Sequence, residues 1–398
     1  PGPVVISLPE DVLAQKAKMH FGPQIRIPRP APAREEMVTM EKMFRKAERP
    51  VIIAGGGIKW ANAEEELVSF AEKFSIPVAV AFRRHDSFPH DHPLFAGHLG
   101  LNANSAVLQT IKEADLVLVI GSRLSEVTSQ DYQLLSKEQA LIHIEIDAST
   151  IGKVYPPELG IVADAKEALK QMISMQLSVK WQEWAKKRSR ANQEFMRTVD
   201  TGDNDLIKEV ITILNQELPR DAVLTTDAGN FAGWLHAYYP FTEKHTFVGP
   251  TSGAMGYGLP AAIGAKLASS DKTVISFSGD GGFMMTFSEL ETAVRHRIPV
   301  IALVFNNRMY GTIRMHQEIH YPNRVSGTDL GDISFKGLAE SVGAHGYFVE
   351  SGAAFRSAIQ DALTKDGPCV IEIFTDREQI SVNRTIADLR NLSKNIDQ

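Results

Sequence analysis

The sequence predicts an α/β protein of two doubly wound parallel-sheet domains, and three observations predict it. Short apolar, β-branched runs at residues 51–54, 78–82, 116–120 and 141–146 alternate with helix-period segments, and the alternation returns at 222–226, 274–278 and 300–305. The strand-helix-strand interval from 274 to 305 has the length of a right-handed crossover between parallel strands. Glycine-containing turns follow several strands at their carboxyl ends, the edge where open α/β sheets bind ligands.

The chain opens on Pro1 and a strand-like run, Val4, Val5, Ile6 and Leu8. Pro23, Pro28, Pro30 and Pro32 then make 21–33 an extended linker, because proline removes a donor and fixes φ. The central α/β domain is expected over 34–178. It begins with a helical stripe of Met37, Met40 and Phe44 and a strand ending in Gly55-Gly56-Gly57. The helix after Asn62 carries Leu67, Phe70, Ala71 and Phe74 on one face. The glycine triplet is not Gly-x-Gly-x-x-Gly, so packing is favoured over dinucleotide binding, while Arg123 in Gly121-Ser122-Arg123 is placed to reach a phosphate.

Residues 179–204 read as a helical linker carrying Trp181, Trp184 and Phe195, with a polar break at 198–204. The basic run at 186–190 reads as a solvated helix face. The second domain and the tail occupy 205–398. Its first strand runs into Asp227-Ala228-Gly229-Asn230-Phe231, a strand-to-helix turn of the kind that receives anions.

Composition bounds the partners. A net charge of −6 argues against nucleic acid, and no eighteen-residue apolar run exists to span a membrane. The single cysteine, Cys369, lies in the apolar run 368–374 and cannot form an intrachain disulfide, which points to a cytoplasmic protein.

The chemistry concentrates in 251–311. The run 274–278 ends at Gly279-Asp280-Gly281-Gly282, Thr286 and Glu289 form a capping box for a helix ending near Arg297, and the run 300–305 ends at Asn306-Asn307. If these two strands are adjacent, Asp280 and Asn307 lie within one or two strand spacings of about 4.8 Å. One carboxylate and one amide suit magnesium, which shares its shell with phosphate oxygens. Read singly, each half is a common turn.

Together, at this spacing, the two halves resemble the thiamin diphosphate signature. The resemblance implies that Asp280, Asn307 and the Met309 carbonyl bind Mg²⁺, and that Gly279, Gly281, Gly282, Tyr310 and Gly311 surround the diphosphate. The upstream stretch with Gly253, Met255, Gly256 and Gly258 resembles the family's second landmark. There Met255 would wedge under the cofactor and the Gly253 carbonyl would receive its aminopyrimidine group. Gly229, the Asn230 amide and the Phe231 backbone would contact the diphosphate, with Phe231 where acetolactate synthases usually have His.

The closest overall resemblance is to acetolactate synthases, which implies decarboxylation of a 2-oxo acid with carboligation in a homodimer or tetramer. Another thiamin-dependent decarboxylase or lyase is the alternative, since His316 stands where those synthases carry Trp and the tail 380–384 lacks their Pro-rich pattern. His316, Gln317, His320 and Tyr321 are candidates to line a substrate pocket, or to form a surface loop. In that branch the central domain holds FAD; FAD, ADP and an empty domain stay open here. The opening strand resembles the end of a pyrimidine-binding domain, the domain that carries the family's activating Glu, so the chain alone is expected to lack that residue. A flavin or nicotinamide oxidoreductase and a noncatalytic nucleotide-binding module are rivals from other classes, the first weakened by the missing Gly-x-Gly-x-x-Gly.

Overall fold

The computed structural model describes residues 4–198 and 205–394, and builds two six-stranded sheets, each parallel throughout. The first holds β1 (Pro50–Ala54), β2 (Val78–Val80), β3 (Phe95–His98), β4 (Leu116–Ile120), β5 (Ala140–Glu145) and β6 (Leu159–Val162), in the order β3-β2-β1-β4-β5-β6. Strands β1 and β4 are buried at every position, as expected of strands covered by helices on both faces. Gly55 and Gly57 pack directly on the turn after β4, where a Cβ on Gly55 would lie 2.2 Å from the Gly121 carbonyl oxygen. The glycine triplet therefore has the packing role that its sequence favours.

The second sheet holds β7 (Val223–Thr226), β8 (Phe247–Val248), β9 (Val274–Gly279), β10 (Ile301–Asn306), β11 (His345–Val349) and β12 (Cys369–Phe374). Its order is β11-β12-β10-β9-β7-β8. The chain leaves β7 first toward β8 at one edge, then returns to place β9 on the other side of β7. That reversal opens a crevice at the carboxyl ends of β7 and β9, the position where such sheets accept ligands. Strands β9 and β10 pair in register from Ile275↔Ile301 to Gly279↔Phe305, so the turns after them emerge side by side.

Four expectations are corrected. Val4, Val5 and Ile6 form no strand and are exposed, because no neighbouring strand among the described residues offers a ladder. Thr286 opens no capping box. It ends the helix Asp280–Thr286, which starts at the turn itself, and the next helix, Glu289–Arg295, follows Ser288 without a side-chain cap. Arg188 is not on a solvated face: it is buried, ion-paired to Glu113, and stacked over Trp184 at 4.4 Å. The run 78–82 yields only the three-residue β2. Most of the polar break at 198–204 lies outside the described residues.

A long helix, Gln182–Thr198, is anchored by Trp181 and Trp184, whose indole N–H groups donate to the Phe74 and Pro50 carbonyls at 2.8 and 3.0 Å. The two sheets meet across a polar seam. Asp86 accepts from Lys59 at 2.7 Å and from the Thr246 and Phe247 amides at 3.0 and 3.1 Å, and the His85 ring stacks on His236 at 4.3 Å. No helix among the described residues is long and apolar enough to cross a membrane.

Candidate active site at the switch point of the second sheet

A cavity of about 220 Å³ occupies the crevice, and four turns line it. The turn after β7 brings Gly229, Asn230 and Phe231; the turn after β9 brings Gly279, Asp280, Gly281 and Gly282; the turn after β10 brings Asn307, Met309, Tyr310 and Gly311. Gly253 and Met255 come from the loop before helix Gly258–Ala268. The residues that the resemblance assigns to the cofactor and its cation thus line one cavity.

Asp280 is 4% exposed. Its Oδ1 accepts from the Gly281 amide at 2.8 Å and its Oδ2 from the Met309 amide at 3.2 Å. Asn307 Oδ1 accepts from the same Met309 amide at 3.2 Å, so carboxylate and amide oxygens converge on one point. Burial pushes the Asp280 carboxyl up to about 6, against the pull of the surrounding N–H groups. Hard oxygen donors without sulfur or imidazole suit Mg²⁺ rather than a soft metal. Among the described residues no group of three His, Cys, Asp or Glu is arranged to hold a metal, so a cation at Asp280 needs oxygens from a bound ligand.

The loop carrying Asn307 is held from behind. Asn306 donates to Glu372 Oε1 at 2.8 Å and accepts from the Arg308 amide at 3.2 Å, while the Tyr310 amide donates to Thr328 at 2.9 Å. The first Asn of the pair is thus structural and only the second faces the cavity. The ten-residue helix Gly311–His320 points its first turn into the cavity, where unpaired amides favour an anion. Two glycines are required by close approach: a Cβ on Gly281 would lie 2.4 Å from the Tyr310 ring, and one on Gly282 would lie 2.5 Å from Asp227 Oδ2. These features fit a phosphorylated ligand with its cation.

Side chains around the cavity also hold one another. The Asn230 amide is engaged internally, donating to the Ile380 carbonyl at 2.7 Å and accepting from Thr312 Oγ1 at 2.9 Å. These bonds tie three elements together. Phe231 stacks on Phe305 at 5.4 Å and forms an apolar floor with it. His316, Gln317, His320 and Tyr321 do not line the cavity; His316 and His320 stack on each other on the exposed side of the helix, and Gln317 bonds to Ser326.

Comparison with known proteins decides the family. The model described as "Thiamine pyrophosphate enzyme, C-terminal TPP binding domain" matches residues 227–373, and "Thiamine pyrophosphate enzyme, central domain" matches 39–172. The chain is 32% identical to the probable acetolactate synthase large subunit of Methanocaldococcus jannaschii, over 94% of this chain and 67% of that one. It is 31% identical to sulfoacetaldehyde acetyltransferase of Alcaligenes xylosoxydans xylosoxydans, over 95% of this chain and 69% of that one. The chain belongs to the thiamin diphosphate-dependent enzymes of the acetolactate synthase and decarboxylase family. A solved benzoylformate decarboxylase from Polynucleobacter necessarius shares the fold, with a TM-score of 0.78 at 22% identity over 92% of this chain and 69% of that one.

Within this thiamin-enzyme scaffold, one residue without an assigned role in the sequence stands out. Asp227, fully buried at the end of β7, accepts from the Gly258 amide at 2.5 Å, while the next amide, Ala228, donates to Ala254 at 3.1 Å. The pair clamps both ends of the loop that carries Met255. Asp227 Oδ2 has no hydrogen-bond partner, and burial raises its carboxyl above the ordinary range. A lone Asp after a strand carries no signal that separates it from a turn residue; the glycines around it were the only pointer.

Proposed function

We propose that this chain is the diphosphate-binding part of a thiamin diphosphate- and Mg²⁺-dependent enzyme that decarboxylates a 2-oxo acid and ligates the product to a second carbonyl, as acetolactate synthases do. The convergence of Asp280, Asn307 and the Met255 loop on one cavity carries this reading. Asp280, the Asn307 side chain and the Met309 carbonyl hold Mg²⁺. The backbones of Gly229, Phe231, Gly279, Gly281 and Gly282, with Tyr310, Gly311 and the first turn of helix Gly311–His320, hold the diphosphate. Bound here, thiamin diphosphate supplies a thiazolium carbon that adds to a carbonyl and holds the electrons released with CO₂.

This chain's residues bind and orient. Met255 would wedge under the bound cofactor, the Gly253 carbonyl would accept from its amino group, and the apolar side chains of Phe231, Phe305 and Ile380 would exclude water from the cavity. The activating Glu comes from an upstream pyrimidine-binding domain, on a partner subunit of a homodimer or tetramer. Exposed Tyr257, Met284, Met285 and Ile313 support that covering partner, since apolar groups beside a site are otherwise left in water.

The relative named sulfoacetaldehyde acetyltransferase favours a second reading, with the same cofactor and another substrate. Supplying the upstream domain and screening 2-oxo acids and sulfoacetaldehyde separates the two. CO₂ release with an acetohydroxy acid product supports the first; turnover on sulfoacetaldehyde alone selects the second; turnover without thiamin diphosphate rejects both. Arg123, exposed after β4, keeps FAD or ADP as candidate ligands of the central sheet, and flavin absorbance of the purified protein tests the former.

A further inference from the structure

We propose that Arg83, in the turn after β2, is a positioning residue for the loop at 250–257, whose Gly253 and Met255 line the cofactor cavity. Its guanidinium crosses the seam between the sheets and holds the incoming end of that loop by donating to the Pro250 carbonyl. What the loop receives rests on the thiamin diphosphate reading; what holds the loop does not.

The turn is closed by the Arg84 amide, which donates to the Ala81 carbonyl at 3.0 Å, and Arg83 is its third residue at φ 58. A left-handed residue at that place of a turn is ordinarily glycine or asparagine, because a longer side chain crowds its own backbone. Arg83 is also 8% exposed, its Nε has no hydrogen-bond partner, and no carboxylate pairs with it among the described residues. Its guanidinium lies over the Phe82 ring at 4.7 Å. Burial and the neighbouring Arg84 push it down to about 10, which leaves it charged at neutral pH. A strained backbone and a buried cation without a counter-charge both destabilise the fold, so the bond to Pro250 that they allow calls for a function.

The loop lacks another anchor at that end. Proline has no N–H, so the carbonyl is the one backbone group by which Pro250 is hydrogen-bonded. Pro250 is buried, whereas residues 251–254 after it are exposed. Downstream, the Ala228 amide holds the Ala254 carbonyl at 3.1 Å and Asp227 holds the Gly258 amide, both from the turn after β7 in the second sheet. Arg83 alone of these anchors comes from the first sheet's half, and its Cδ packs against Gly249, 3.5 Å from where a Cβ there would lie. With four exposed residues between Pro250 and Met255, the direction in which the chain leaves Pro250 is what Arg83 fixes.

The test uses the full chain labelled with methyl-¹³C methionine, the Met255 signal being identified by its loss in Met255→Leu. Arg83→Gly suits the left-handed backbone and removes the guanidinium. In the ligand-free chain it is expected to shift or broaden the Met255 methyl signal while those of the buried Met40 and Met172 stay in place. Calorimetry with Mg²⁺ is expected to show thiamin diphosphate bound at least about ten-fold more weakly, the scale of one charge-assisted hydrogen bond, and inorganic pyrophosphate, which does not reach the loop, bound as before. Arg83→Asn, which also tolerates a left-handed backbone and is too short to reach Pro250, takes its place if Arg83→Gly does not fold. An unmoved Met255 signal, a Met255 signal that moves together with those of Met40 and Met172, or equal weakening of thiamin diphosphate and pyrophosphate overturns the proposal. A wild-type chain that ignores thiamin diphosphate defeats the cofactor reading instead, and the Met255 signal then decides what Arg83 does.

Discussion

Met255 and Gly281 show how single side chains shape the cavity. Met255 is half-buried on a loop clamped by Asp227 and Ala228, so its position is set by the fold rather than by a ligand. In the enzyme completed with its upstream domain, Met255→Ala is expected to slow proton exchange at the reactive carbon of the cofactor more than it weakens cofactor binding. Exchange measured by NMR beside calorimetric affinity checks this, and equal losses would make Met255 packing alone. Gly281→Ala pushes a methyl group into the Tyr310 ring and is expected to lower stability by about 1–3 kcal/mol, as overpacking does. Denaturant unfolding reads the loss, and adding Tyr310→Ala should recover much of it. A loss that the second substitution leaves untouched would mean that the strain lies elsewhere.

The elements that read correctly from sequence are those with continuous apolar runs. Strands β9 and β10 fall within a residue of expectation because both are buried on two faces and leave no polar position to blur the pattern. Strands β8 and β11 are the opposite case. The first has two residues and the second is exposed or partly exposed at all but its last position, at a sheet edge, so neither carries a run that stands out. The Thr286 capping pattern misleads because tertiary packing starts the helix six residues earlier, on the ligand-facing turn. The tail is illegible for another reason. Glu318 and Arg390 are 72 residues apart, yet Arg390 donates twice to the buried Glu318 carboxylate, at 2.7 and 2.8 Å, and Arg314 donates a third time at 2.8 Å. The Arg390 guanidinium leads in holding the Glu318 carboxyl down to about 2. This clip contributes stability above about pH 4.5 that disappears as pH falls through about 2. Glu318→Ala is expected to cost about 2–3 kcal/mol, the low side for a buried pair because Arg390 is partly solvated, and to raise hydrogen exchange in helix Ile386–Lys394. Unchanged exchange there would show that the clip does not hold the helix.

At the scale of the whole molecule, the seam between the sheets carries four clustered imidazoles, with His85, His98 and His236 buried and His90 partly buried. Burial pushes His98 down to about 4 and His90 to about 3, and holds His85 and His236 well below the ordinary range. They stay neutral in the fold while the unfolded chain protonates below about 6.5, so stability falls as pH drops from about 6.5 toward 4. Melting temperature is expected to decline from pH 7 to pH 5, and His236→Phe should flatten the decline; a flat wild-type profile would contradict the buried neutral cluster. The seam fixes the first sheet against the second, and the second sheet's strand order opens the cavity. The function of that cavity rests on Asp280, whose carboxylate shares the Met309 amide with Asn307. Calorimetric titration of the chain with thiamin diphosphate, with and without Mg²⁺, beside the Asp280→Ala variant, tests this most directly. Mg²⁺-dependent binding lost in a variant that still melts cooperatively is the predicted result, and the same affinity in both proteins would contradict it.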